Sequence, residues 1–191
     1  EVIYMLNFTY YTPTKVHFGK DTHKQVGKII HEYGFKTIMM QYGKSSIKKS
    51  GLYDAVMDSL NKNGIKVVEM GGVEPNPKLS FVREAVKVAK ENNVQMILAV
   101  GGGSVMDASK IIGARATNPT LQVRDMRGMF KIKNPIPDLY VVPTTAGTGS
   151  EATVAAVITD EVDGTHYKYA ITDFGLVPKY AVMYPEITLS L

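Results

Sequence analysis

The sequence has no cysteine among its 191 residues, which excludes disulfides, thiolate metal sites and thiol catalysis while permitting a reducing compartment. No apolar run approaches membrane-spanning length, and the opening EVIYMLNFTYY lacks a charged n-region followed by an apolar h-region. Strong charge of one sign is also missing. Lys plus Arg number 22 against 18 Asp plus Glu, the charges are dispersed, and no basic run is interleaved with aromatics as a nucleic-acid surface requires. Histidines are few, and His17, His23, His31 and His166 lack the close spacing of a local metal site, so they read as surface positions. These absences point to a cytoplasmic globular protein that binds neither membrane nor nucleic acid. The length and the 45% hydrophobic content suit one domain over residues 1–191.

What is present is a regular alternation of strand and helix. A short strand at Lys15–Phe18 precedes a helix that Asp21 can cap and that runs to about Tyr33, with Val26, Ile29 and Ile30 facing inward and Gly34 as its stop. A buried strand at Lys36–Gln41 follows, then a loop at Tyr42–Ser46, a helix near Leu52–Asn63 closed by Gly64, and a strand at Ile65–Met70. The turn Gly71–Pro77, a helix near Leu79–Asn92 and the strand Gln95–Val100 complete this series. Such a rhythm with short connections predicts an α/β fold with a parallel sheet flanked by helices. Thr117–Asp138 reads as a polar connector holding at most a short helix, and Leu139–Val142 as another buried strand. Thr153–Thr159 and His166–Thr172 read as an added β-hairpin turning at Asp163-Gly164, and Tyr180–Met183 as a last strand.

Two segments carry chemistry. Ile97–Lys110 reads ILAVGGGSVMDASK, an apolar run, three glycines and a serine opening a helix. Glycines allow unusual dihedrals and close approach to a ligand, and the free amides and dipole of a helix N-terminus attract anionic oxygen. Ser104 and Asp107 have the S-x-x-D spacing of a capping box, which would fix the helix start. The motif departs from G-x-G-x-x-G, because the third glycine position is Met106. In Pro143–Glu151 the second segment, TTAGTGSE, places the hydroxyls of Thr144, Thr145, Thr148 and Ser150 beside two glycines, suited to phosphate or ribose oxygens. Each loop alone could satisfy its own backbone and bind nothing. Both follow strands of the same parallel sheet, so they share its carboxyl edge, where ligands bind.

The segments AVGGGSVMDASK, VPTTAGTGSE, VEPNP (Val73–Pro77), PTKVHFGK (Pro13–Lys20) and YPEITLSL (Tyr184–Leu191) together resemble the N-terminal half of the group III, iron-containing alcohol dehydrogenases. YGKSSIKKSGLYDAV (Tyr42–Val56) is similar to their butanol-dehydrogenase-like branch. The resemblance implies a Rossmann-like nucleotide-binding domain, with the family's all-helical domain and its divalent metal, iron or zinc, held by one aspartate and three histidines, absent from this sequence. It also implies hydride transfer between a nicotinamide cofactor and a small primary alcohol or aldehyde in the full enzyme, no metal or catalytic residue in this chain, and no turnover by this chain alone. By resemblance Gly102, Gly103 and Ser104 belong to the pyrophosphate loop, and Thr144, Thr145 and Thr148 to a second cofactor loop; Asp107 and Ser150 join them as candidate cofactor residues on their spacing and hydroxyl chemistry. Lys168 matches a lysine near the nicotinamide ribose, and Asn76 the family's Asn-Pro turn. Tyr184 departs from the aspartate common before Pro-Glu. Gly43, Lys44, Ser45 and Ser46 occupy the loop where NAD-specific members tend to carry an aspartate, so a cation and two hydroxyls there favour NADP, with NAD as the alternative. An exposed face for the missing half favours a homo-oligomer. A stand-alone nucleotide-binding module without catalysis is the competing expectation.

Overall fold

The computed structural model describes residues 11–163 and 165–190. In chain order they form β1 (Lys15–Phe18), α1 (Val26–Glu32), β2 (Thr37–Tyr42), α2 (Ser46–Lys49), α3 (Leu52–Lys62), β3 (Lys66–Met70) and α4 (Leu79–Glu91). The second half adds β4 (Met96–Gly101), α5 (Gly103–Thr117), β5 (Gly128–Met129), β6 (Asp138–Pro143), β7 (Ala155–Val162), β8 (Thr165–Thr172) and β9 (Tyr180–Met183). Six strands pair in parallel in the order β1-β9-β6-β4-β2-β3, and a three-stranded sheet runs β5-β8-β7.

The central strands are apolar runs because both of their faces are covered. Their residues sort by the period of two: Met39, Ile97, Ala99, Leu139 and Val141 enter the core shared with α4, α5, β7 and β8. Ile38, Met40, Leu98, Val100, Tyr140 and Val142 enter the opposite core, shared with α1 and α3. Gly34 and Gly64 stop α1 and α3 in the left-handed region, at φ +82° and +68°. One close approach was not legible beforehand. A Cβ on Gly27 of α1 would lie 2.0 Å from the Ser59 carbonyl oxygen of α3, and the Gly27 N–H donates to Ser59 Oγ at 3.0 Å.

The structure corrects four local expectations. Asp21 does not cap α1: it sits at φ +60° with no capping bond, pairs with Lys24 at 2.8 Å, and leads into a 3-10 turn over Thr22–Gln25. His23, in that turn, is not on the surface; it is buried against the Tyr184 ring at 4.0 Å between centroids. His17 is half-buried, whereas His31 and His166 are exposed. The connector after α5 also holds more than a short helix, because β5 adds to β8 in parallel beyond the 3-10 turn Val123–Met126. The hairpin strands begin and end a little away from the expected limits, at Ala155–Val162 and Thr165–Thr172.

The sheet order places the site. From β2 the chain moves outward to β3, and from β4 it moves the other way to β6, so the direction reverses between β2 and β4. Tyr42 is in register with Val100 at that point, and the crevice beyond these carboxyl ends is where open parallel sheets bind ligands.

Candidate functional site

Three glycines join β4 to α5; a Cβ at Gly101 or Gly102 would force its neighbours to shift, and one at Gly103 would be tight. None of Gly101, Gly102 and Gly103 has a positive φ, so the expected use of unusual dihedrals does not apply to them. An added Cβ on Gly101 would lie 2.5 Å from Val105 Cγ2, and one on Gly102 would lie 2.9 Å from Thr145 Oγ1. On Gly103 it would meet Thr148 Cγ2 at 3.2 Å and Ser150 Oγ at 3.3 Å. The two motifs are therefore in direct contact, with the glycine backbone on one side and the hydroxyl loop on the other. That loop does use left-handed glycines, Gly147 at φ +89° and Gly149 at φ +66°. Thr144 N–H donates to the Gly101 carbonyl at 3.1 Å, which ties the loop to the end of β4.

The start of α5 differs from the capping-box expectation. Gly102 is the N-cap, Ser104 lies inside the first turn, and no side chain caps the helix. The amides of Val105 and Met106 bond to the Gly102 carbonyl, which leaves those of Gly103 and Ser104 ahead of the first helical bond. Asp107 instead turns to the hairpin, where its Oδ2 accepts from Val157 N–H at 3.1 Å, and burial raises its pKa. Its Oδ1 and Thr145 Oγ1 are buried without a hydrogen-bond partner among the described residues. One turn further, Lys110 is fully buried and donates to the carbonyls of Thr153 at 2.9 Å and Ala155 at 2.8 Å. Burial pushes its pKa down to about 8. Sequence reasoning passed over Lys110 because a lysine on a helix normally signals a solvated face.

The hairpin is held against the same edge. Thr159 N–H donates to the Pro77 carbonyl at 3.0 Å, and Lys168 Nζ donates to Asn76 Oδ1 at 2.6 Å. Lys168 and Asn76 were separate expectations, and the fold brings them together. Asn76 itself sits at φ +56°.

At the end of β2, Gly43, Lys44 and Ser45 form a turn that leads into Ser46, the first residue of α2, and both serines are exposed. Lys44 Nζ is not free: it lies 2.9 Å from Glu74 Oε1, and Lys78 Nζ lies 3.7 Å from Glu74 Oε2. Lys44, through its hydrogen bond, holds the Glu74 carboxyl below its ordinary value. Beside them Tyr42 and Tyr53 both donate to Glu69 Oε2 at 2.8 Å, and burial pushes the Tyr42 hydroxyl up to about 12. Glu74 escaped notice in the sequence although E-x-x-x-K spacing links it to Lys78.

Across the hydroxyl loop from the glycines lies an open cleft of about 170 Å³, lined by Phe18, Pro143, Thr145, Ala146, Met183 and Ile187 among others. Among the described residues no group of three or more His, Cys, Asp or Glu could hold a metal ion. A dinucleotide fits better: the phosphate needs close backbone approach and free amides, and the ribose needs hydroxyl partners, which the paired loops offer. No helix among the described residues is long and apolar enough to cross a membrane.

Residues 13–185 match the family described as iron-containing alcohol dehydrogenase, and the chain belongs to that family. It is 38% identical over 190 residues to NADH-dependent butanol dehydrogenase B of Clostridium acetobutylicum, covering 98% of this chain and 47% of that protein. It is equally 38% identical over 195 residues to an NADPH-dependent aldehyde reductase of Escherichia coli, again covering 98% and 47%. The crystal structure of NADH-dependent butanol dehydrogenase A from Thermotoga maritima superposes with a TM-score of 0.89 at 40% identity, over 97% of this chain and 46% of that one. The chain thus spans about half the length of the relatives it matches, and they include both NADH- and NADPH-dependent enzymes.

Proposed function

We propose that this chain is the cofactor-binding half of an NAD(P)-dependent alcohol dehydrogenase or aldehyde reductase, with residues 1–191 forming one dinucleotide-binding unit. The observation that carries this reading is the contact of Gly102 and Gly103 with Thr145, Thr148 and Ser150 at the N-terminus of α5, at the reversal point of the sheet. When bound, the nicotinamide supplies hydride transfer; the residues here bind and orient it. The Gly103 and Ser104 amides receive the pyrophosphate, the Thr144–Ser150 hydroxyls the adjoining sugar or phosphate oxygens, and the apolar cleft beside Ala146 the flat face of the purine. Lys168 and Asn76, already bonded to each other, present a cation and an amide to the nicotinamide ribose.

The substrate in this reading is a small primary alcohol or its aldehyde, as the names of the relatives suggest. A cytoplasmic location and a homo-oligomer belong to the same reading, the latter supported by the edge strand β1, which leaves Val16 and Phe18 exposed. NADP is the preferred cofactor, supported by Lys44, Ser45 and Ser46 in place of an acidic residue, although Glu74 opposes that preference. Calorimetric titration of the chain with NADP and NAD tests the reading: both bind, NADP more tightly, and Lys44→Glu removes the preference. Failure of both to bind overturns it. Incubation of the chain alone with NADP, a primary alcohol and Fe²⁺ or Zn²⁺ is expected to yield no enzymatic NADPH formation.

A further inference from the structure

We infer that Glu74 limits the preference for NADP over NAD in this chain, by standing as a fixed negative charge beside the lysine that a 2′-phosphate would use. The inference rests on the dinucleotide reading of the site. Glu74 lies outside the β2 loop in sequence, yet the backbone fastens its own loop there. Gly72 N–H donates to the Gly43 carbonyl at 3.0 Å, and Val73 N–H to the Tyr42 carbonyl at 3.1 Å. A Cβ on Gly71 would lie 2.5 Å from the Tyr42 ring, so that ring lies directly against the same segment. The carboxylate is thus delivered to Lys44 by the course of the chain, and the side chain needs little reach.

The charges around it are arranged in pairs. Glu74 Oε1 lies 2.9 Å from Lys44 Nζ and Oε2 lies 3.7 Å from Lys78 Nζ. Lys48 lies over the Tyr42 ring at 5.4 Å and the Tyr53 ring at 4.8 Å, and both hydroxyls already hold Glu69. A 2′-phosphate, with between one and two negative charges at neutral pH, would have to take Lys44 from Glu74 while remaining beside that carboxylate. A 2′-hydroxyl meets no such opposition and can donate to the carboxylate instead. Removing the charge while keeping the side chain's size therefore shifts preference toward NADP.

The test is calorimetric titration of the full chain with NADP and with NAD, in the unaltered protein, E74Q and E74D. The ratio of dissociation constants, NAD over NADP, is expected to rise roughly tenfold in E74Q, the size of a solvent-screened repulsion between a phosphate and one carboxylate. E74D is expected to hold the ratio closer to that of the unaltered chain, and the E74Q effect is expected to shrink at about 0.5 M salt. An unchanged ratio in E74Q, including equal weakening of both nucleotides, overturns the inference and leaves Glu74 as a loop contact. If the unaltered chain binds neither nucleotide, the reading of the site fails first and this inference falls with it.

Discussion

Gly103→Val should separate binding from folding. A Cβ at this position already lies 3.2–3.3 Å from Thr148 Cγ2, Thr148 Cβ and Ser150 Oγ, inside the 3.5–4.0 Å of comfortable contact. Valine adds two more methyl groups, and the hydroxyl loop must move to admit them. Overpacking of this kind costs about 1–3 kcal/mol, which for a chain of this size lowers the melting temperature by roughly 2–12 °C. The loss in binding should be larger. Each charge-assisted bond from an amide to a phosphate oxygen contributes about 1.5–3 kcal/mol, and displacing the loop disturbs the two free amides and the hydroxyls together. At about 1.4 kcal/mol per factor of ten, the loss of one such bond weakens NADP binding at least about tenfold, and of both at least about a hundredfold. Gly103→Ala, which asks its neighbours to yield only slightly, should fall between. Calorimetry for affinity and a thermal melt for stability, run on the same samples, make the comparison. Unchanged NADP affinity in folded Gly103→Val would refute the assignment of this loop.

Two other substitutions probe the frame behind the site. Gly27→Ala drives a Cβ to 2.0 Å from the Ser59 carbonyl and should cost about 3 kcal/mol or more, seen as a lower melting temperature. Lys110→Met leaves the Thr153 and Ala155 carbonyls without their donor and should destabilise the chain at neutral pH. With a folded pKa near 8 against an ordinary value of 10.5, the unfolded chain binds the extra proton between those values, so Lys110 makes stability rise with pH through that window. The gap between the two proteins should therefore widen from pH 8 toward pH 10 in melts at matched ionic strength; a gap that is constant or narrows would contradict the burial of this lysine.

How much of this was legible depended on how local its cause is. The central parallel strands β2, β4 and β6 could be read because burial on both faces makes them nearly continuous apolar runs, and the helix stops because Gly34 and Gly64 adopt the left-handed turn that glycine favours. The family and its two loops were legible for the same reason, being short segments of fixed composition. What failed were assignments decided across the fold. Ser104 and Asp107 have capping-box spacing, but the hairpin amide of Val157 claims the carboxylate, and Gly102 takes the cap. His23 looks like any isolated histidine until Tyr184 packs on it. Lys44 reads as a free cation because Glu74 is thirty residues away, and their meeting follows from the adjacency of β2 and β3.

The glycine run can also be understood without the usual third glycine. In G-x-G-x-x-G that residue lets the helix pack closely on its strand. Here the position is Met106, fully buried in the core between α5 and the sheet, so close packing is not obtained there. The close contacts fall instead on three consecutive residues: Gly101 against Val105 of the helix that follows, Gly102 against Thr145, and Gly103 against Thr148 and Ser150. Two of the three are contacts with the next loop along the sheet edge. The proposed site is consequently two-walled, with amides on one wall and hydroxyls on the other. Lys110 holds the chain just beyond the hydroxyl loop, at Thr153 and Ala155, from a helix whose first turn belongs to the amide wall. A buried lysine outside the proposed site therefore ties the segment after the hydroxyl loop to the helix that carries the amides.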